Sequence, residues 1–152
     1  MATANNNVIS TLNNLIETCK DGENGFRAAS DGVENGELKT LFLTYSRQRA
    51  QFASELQAEV RNLGGDPEDT GSIAASLHRG WLNIKSTVTG EDEGAVISEC
   101  ERGEDAAVKN YQDALDENLP ANILSIIQRQ FTQVKEAHDR IRAMEKAGSA
   151  KA

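Results

Sequence analysis

Apolar residues recur along this chain at intervals of three and four, in long stretches separated by polar and glycine-rich breaks. Val8, Leu12, Leu15, Ile16, Cys19 and Phe26 form the first series, and Leu38, Leu41, Phe42, Tyr45, Phe52, Leu56, Val60 and Leu63 the second. Val96, Ile97, Cys100, Ala107, Val108, Tyr111 and Leu115 form the third, and Leu124, Ile127, Phe131, Val134, Ile141 and Met144 the fourth. None keeps the period of two that marks a half-buried strand. The spacing predicts helices over 5–33, 37–63, 92–117 and 121–146, each about 40 Å long at about 1.5 Å per residue. Between the second and third, Ile73, Leu77, Trp81, Ile84 and Val88 share one stripe, which predicts a shorter helix over 72–88 capped by Ser72. The short breaks at Glu34–Gly36 and Asn118–Pro120 imply two antiparallel hairpins, and the longer connection reaches from one end of a bundle to the other. The expected fold is all-α: a single domain over 1–152, built as a four-helix bundle with one long crossover containing the additional short helix.

The residues that interrupt the apolar stripes are the informative ones. The first stripe reads Leu15, Cys19, Glu23, Phe26; the second Phe42, Tyr45, Arg49, Phe52; the third Ile97, Cys100, Glu104, Ala107; the fourth Phe131, Val134, His138, Ile141. Counting outward from the two short turns places Glu23, Arg49, Glu104, Lys135 and His138 near one level. They are therefore candidates for a charged layer inside the bundle. Isolated buried charges are costly, so such groups must pair, bind an ion or reach water. The strings Cys19-Lys20-Asp21-Gly22-Glu23 and Cys100-Glu101-Arg102-Gly103-Glu104 share C-x-x-G-E, a short internal duplication at equivalent places in the two hairpins. Gly22 and Gly103, each costing about 1 kcal/mol in a helix relative to Ala, point to close approach of a neighbour. With the first and third helices antiparallel, Cys19 and Cys100 fall roughly 12 Å apart along the axis, so no disulfide is expected.

Composition narrows the function classes. With 38% hydrophobic residues in 152, the chain can bury a core. The formal net charge of -8 opposes a nucleic-acid or anionic-membrane surface. Two cysteines, a polar N-terminal stretch and the lack of a long apolar run favour the cytoplasm. No P-loop, dinucleotide fingerprint, nucleophile elbow, calcium loop or zinc-type Cys/His cluster is present.

The bundle topology resembles the ferritin-like superfamily across residues 5–146, and Asp21-Gly22-Glu23-x-Gly25-Phe26, Leu77-His78-Arg79-Gly80-Trp81 and Glu99-Cys100-Glu101-Arg102-Gly103-Glu104-Asp105 carry a closer resemblance. Within it, the chain resembles a small bacterial ferritin-like family of unknown function. In dimetal members two helices each supply a Glu and two supply Glu-x-x-His. The single carboxylates match Glu23 and Glu104, but the paired motifs are replaced by Ser46-x-x-Arg49 and Lys135-x-x-His138. The resemblance thus leaves Glu23, Glu104 and His138 as metal candidates, with iron or manganese the alternative. The chemistry favours no metal and no cofactor: a guanidinium matches carboxylates with a planar fork, and a dication beside it meets repulsion. The expectation is a non-enzymatic, stress-associated structural or interaction protein, forming a homodimer and meeting a protein partner that the sequence does not identify. Two readings stand against it: a dimetal oxidoreductase or iron-handling protein with a reduced ligand set, and a small-molecule binder using a pocket between helices.

The plainer roles of the remaining residues are also expectations. Tyr45 and Tyr111 read as core aromatics, His78 as a surface residue, and Trp81 as the anchor that packs the crossover onto the bundle.

Overall fold

The computed structural model describes residues 2–67, 81 and 92–151. Among the described residues the chain is all-helical: α1 (Ala2–Asp31), α2 (Gly36–Asn62), α3 (Glu93–Leu115) and α4 (Ala121–Lys151). The short helix expected over 72–88, with Ser72 and His78, lies outside the described residues, apart from Trp81.

Local chemistry sets the ends. The Asn35 side chain accepts hydrogen bonds from the backbone N–H groups of Glu37 (2.9 Å) and Leu38 (3.1 Å), satisfying donors that the first turn of α2 would leave open. Gly64 ends α2 at φ +84°, a left-handed conformation that needs no Cβ. Asp92 caps α3 by accepting from the Ala95 N–H at 3.3 Å.

Cross-helix contacts fix the directions. Thr18 and Cys19 of α1 meet Asn110 and Tyr111 of α3, whereas Trp81 lies against both Gly25 and Gly103. Numbers rise along α1 as they fall along α3, so these helices are antiparallel. The pairs Tyr111–Gln130 and Asp105–His138 make α3 and α4 antiparallel. Glu55–Arg129 and Gln48–Gln133 do the same for α2 and α4. With α1 and α2 joined by a short turn, the order is up, down, down, up. The end of α2 and the start of α3 therefore lie at opposite ends of the bundle.

The core splits into two apolar clusters. One gathers Leu12, Leu15, Ile16, Phe52, Leu56, Tyr111 and Ile127; the other gathers Phe26, Phe42, Trp81, Val96, Cys100 and Ile141. Both cysteines are buried and free, one in each cluster. On α4 the buried positions are Ile123, Ile127, Gln130, Val134, Ala137, His138 and Ile141, spaced by three and four with Ala137 and His138 side by side. Of the stripe read from the sequence, Val134, His138 and Ile141 are buried, and Phe131 is partly buried on the flank of a broad apolar band.

Candidate functional site

Arg49 and Glu104 meet between the two apolar clusters. The guanidinium nitrogens Nη1 and Nη2 donate to Oε1 and Oε2 of Glu104 at 2.5 and 2.6 Å, a bidentate fork, and the two side chains are 1% and 0% exposed. The third guanidinium nitrogen, Nε, donates to Gln48 Oε1 at 3.3 Å, and the Phe26 ring lies 5.4 Å from Arg49 Cζ. Burial alone would weaken the cation; the charge and hydrogen bonds of Glu104 outweigh it and raise Arg49 above its ordinary value.

Glycine makes the crossing possible. A Cβ at position 22 would sit 3.1 Å from Arg49 Cγ and 3.2 Å from its Nη1, tighter than ordinary packing, so α1 presents bare backbone where Arg49 passes. The core position on α1 is thus Gly22, and Glu23, one residue on, turns to the flank. Its carboxylate is 26% exposed and accepts from Arg27 at 3.0 Å. Its backbone carbonyl accepts from the Ser46 hydroxyl at 2.8 Å. Lys135 is exposed and pairs with Asp139 at 3.4 Å. His138 lies at the seam of α3 and α4, with Nδ1 at 3.0 Å from Asp139 and Nε2 at 2.5 Å from Asp105. Of the five residues expected in one layer, the structure brings together Arg49 and Glu104; Glu23 pairs with Arg27, and Lys135 and His138 share Asp139. For Glu23 and Lys135 the cause is the same: a side chain one position off an inward-facing residue is rotated by about 100° toward solvent.

A second buried polar chain was not anticipated. The Tyr111 hydroxyl donates to Gln130 Oε1 at 2.8 Å and lies 3.1 Å from Cys19 Sγ. Gln130 in turn donates to Glu55 Oε1 at 3.1 Å, and Arg129 holds that carboxylate at 2.6 Å. Gln130 is fully buried. The 81-residue offset that relates Cys19 to Cys100 and Glu23 to Glu104 also relates Arg49 to Gln130. That offset was the signal for Gln130: each second helix of a hairpin places one polar group at the equivalent core level. Burial pushes the Cys19 thiol up to about 11, with the Tyr111 contact working the other way, and it raises the Cys100 thiol well above its ordinary value. Both thiols stay protonated at neutral pH, which makes them poor nucleophiles.

The crossover residue Trp81 is 3% exposed. Its indole packs edge-on to Phe26, with centroids 5.1 Å apart, and fills the space that side chains at Gly25 and Gly103 would occupy.

A family model described as a domain of unknown function (DUF2383) matches residues 7–117. The chain belongs to this family. The matched span carries Glu23, Arg49, Trp81 and Glu104 and ends just past α3, so Gln130, Lys135 and His138 of α4 lie beyond it. No curated protein matches the chain. Among the described residues no helix is long and apolar enough to cross a membrane.

His138 gives the seam a pH dependence. Burial disfavours its charged form, but hydrogen bonds to Asp139 and Asp105 and their charges outweigh that and raise its pKa above 6.5. The stabilisation is complete below the unfolded value and is lost as pH rises through the raised folded value. Asp139, whose pKa is lowered chiefly by its bond from His138, loses its share only in acid. In chelator-treated buffer, the urea midpoint should fall slightly between about pH 6 and about pH 9, and His138→Gln should flatten that fall. An unchanged slope in the variant would show that the histidine is not responsible.

Proposed function

We propose that this protein is a non-enzymatic bundle of ferritin-like connectivity in which a buried ion pair takes the place of a dimetal centre. The observation that carries this reading is the Arg49–Glu104 fork: a cation already engages both oxygens of Glu104, a carboxylate that the resemblance matches to a dimetal ligand. The donor set does not fit two metal ions. Glu23 is paired outward with Arg27, and His138 faces Asp105 and Asp139 at the seam rather than Glu104. The up, down, down, up order, which sets the end of α2 and the start of α3 at opposite ends, supports the ferritin-like assignment. Two free, buried thiols and the absence of a spanning helix among the described residues favour a reducing, cytoplasmic setting. By the same resemblance the protein acts as a homodimer in a stress-associated structural or interaction role.

The experiment is an anaerobic iron(II) and manganese(II) titration of the intact protein, with light scattering to give the assembly state. The expected outcome is a dimer with no tight site holding two ions per chain. Stoichiometric binding of two ions, abolished by Glu104→Gln and by Glu23→Gln, would replace this reading with the oxidoreductase one.

A further inference from the structure

Away from the core pair, the seam between α3 and α4 assembles a different donor set. Glu101 and Asp105 stand four residues apart on α3, so their carboxylates project from one face, and His138 reaches them from α4. One ligand atom from each lies within 4.8 Å of the other two. The imidazole is held rather than free: its side chain is 10% exposed, and Asp139 sits at 3.0 Å from Nδ1. A carboxylate on one ring nitrogen orients the other as a metal donor. Asp139 is itself held by Lys135. Glu101 also meets a second carboxyl group, that of Glu145, across the same seam.

We propose that Glu101, Asp105 and His138 form a mononuclear zinc site. An imidazole nitrogen with two carboxylate oxygens is a borderline donor set of the kind zinc takes at about 2.0–2.2 Å, whereas magnesium and calcium prefer oxygen alone. Two carboxylates balance the dication. The ion enters between His138 Nε2 and Asp105, replacing their direct contact, and the proton on Nε2 is released to solvent. The side chains must adjust by about 1 Å for bonds of that length, which the 61% exposed Asp105 can do by rotation. The fourth position opens to water on the Asp105 side. Arg142, 4.0 Å from Glu101 and 55% exposed, is free to swing outward. Bound there, zinc ties α3 to α4 near the middle of their hairpin, and it leaves the Arg49–Glu104 pair untouched.

The test is calorimetric titration of the chelator-stripped, full-length protein with zinc chloride near neutral pH, repeated with magnesium and manganese chlorides and followed by thermal melts. One zinc per chain is expected, with a melting temperature that rises with zinc concentration. Asp105→Asn and His138→Gln should each weaken binding by at least about tenfold, and Glu23→Gln should not. Asp105 is largely exposed, so its variant remains informative even where His138→Gln perturbs the fold. No saturable zinc binding, binding that both variants leave intact, or equal affinity for magnesium would each overturn the site.

Discussion

Glu104→Ala is expected to lower the unfolding free energy by about 3–5 kcal/mol, measured by urea denaturation at neutral pH. The substitution leaves Arg49 charged, buried and without its two strongest acceptors; Gln48 retains one weak hydrogen bond and Phe26 one ring face. Glu23, beside Gly22 on α1, is directed outward and bonded to Arg27, so it does not replace Glu104 without breaking that pair. The converse test is the double substitution Arg49→Met with Glu104→Met. Replacing both members of a buried ion pair with apolar groups of similar volume is often neutral or stabilising by about 1–4 kcal/mol, so the double variant should recover most of the loss. A cost below about 1 kcal/mol for Glu104→Ala would mean that water reaches the pair, and the reading of a sealed ionic core would fall with it.

Trp81→Ala should rank beside it, at about 3–5 kcal/mol, because the indole is almost fully buried and lies against two helix backbones and the Phe26 ring. Coupling to the glycines gives this prediction its sharper form. In the native protein, Gly103→Ala drives a methyl group into the indole and should destabilise by about 1–3 kcal/mol, despite the better helix propensity of alanine. In the Trp81→Ala background the same change enters vacated space and should instead stabilise, by up to about 1 kcal/mol. If the effect of Gly103→Ala keeps one sign in both backgrounds, the indole is not what the glycine accommodates.

The helices and their pairing could be read from the sequence because an amphipathic periodicity sustained over more than twenty residues leaves little room for another structure. Arg49 and Glu104 stood out for the same reason, as polar groups breaking stripes that are otherwise apolar. The level of a residue along a helix could be counted from the turns; its rotation about the axis could not. Glu23 shows the difficulty: Gly22 has no side chain to mark it as an inward position, so the neighbouring carboxylate seemed to fill the stripe. His138 is buried as its stripe implies, but its partners are the seam carboxylates of Asp105 and Asp139, which no count along the helix identifies. Gln130 went unnoticed for the opposite reason, since a neutral polar residue on a long helix carries no distinguishing signal until the 81-residue offset is applied to Arg49. The seam of Glu101, Asp105 and His138 required knowing which faces of α3 and α4 meet, and that depends on the packing of all four helices.

The polar level between the two apolar clusters also bears on alignment. Apolar side chains repeating every three and four residues fit nearly as well after one helix slides past its neighbour by two turns, about 10 Å, because one leucine-sized knob resembles the next. The Arg49 fork has no such equivalents. A slip of α2 or α3 would part it from Glu104, bring Arg49 against side chains instead of the bare backbone at Gly22, and strand two charges in an apolar interior. The ion pair thus acts as an index mark: it adds little to the depth of the native well and raises the floor of the wells on either side.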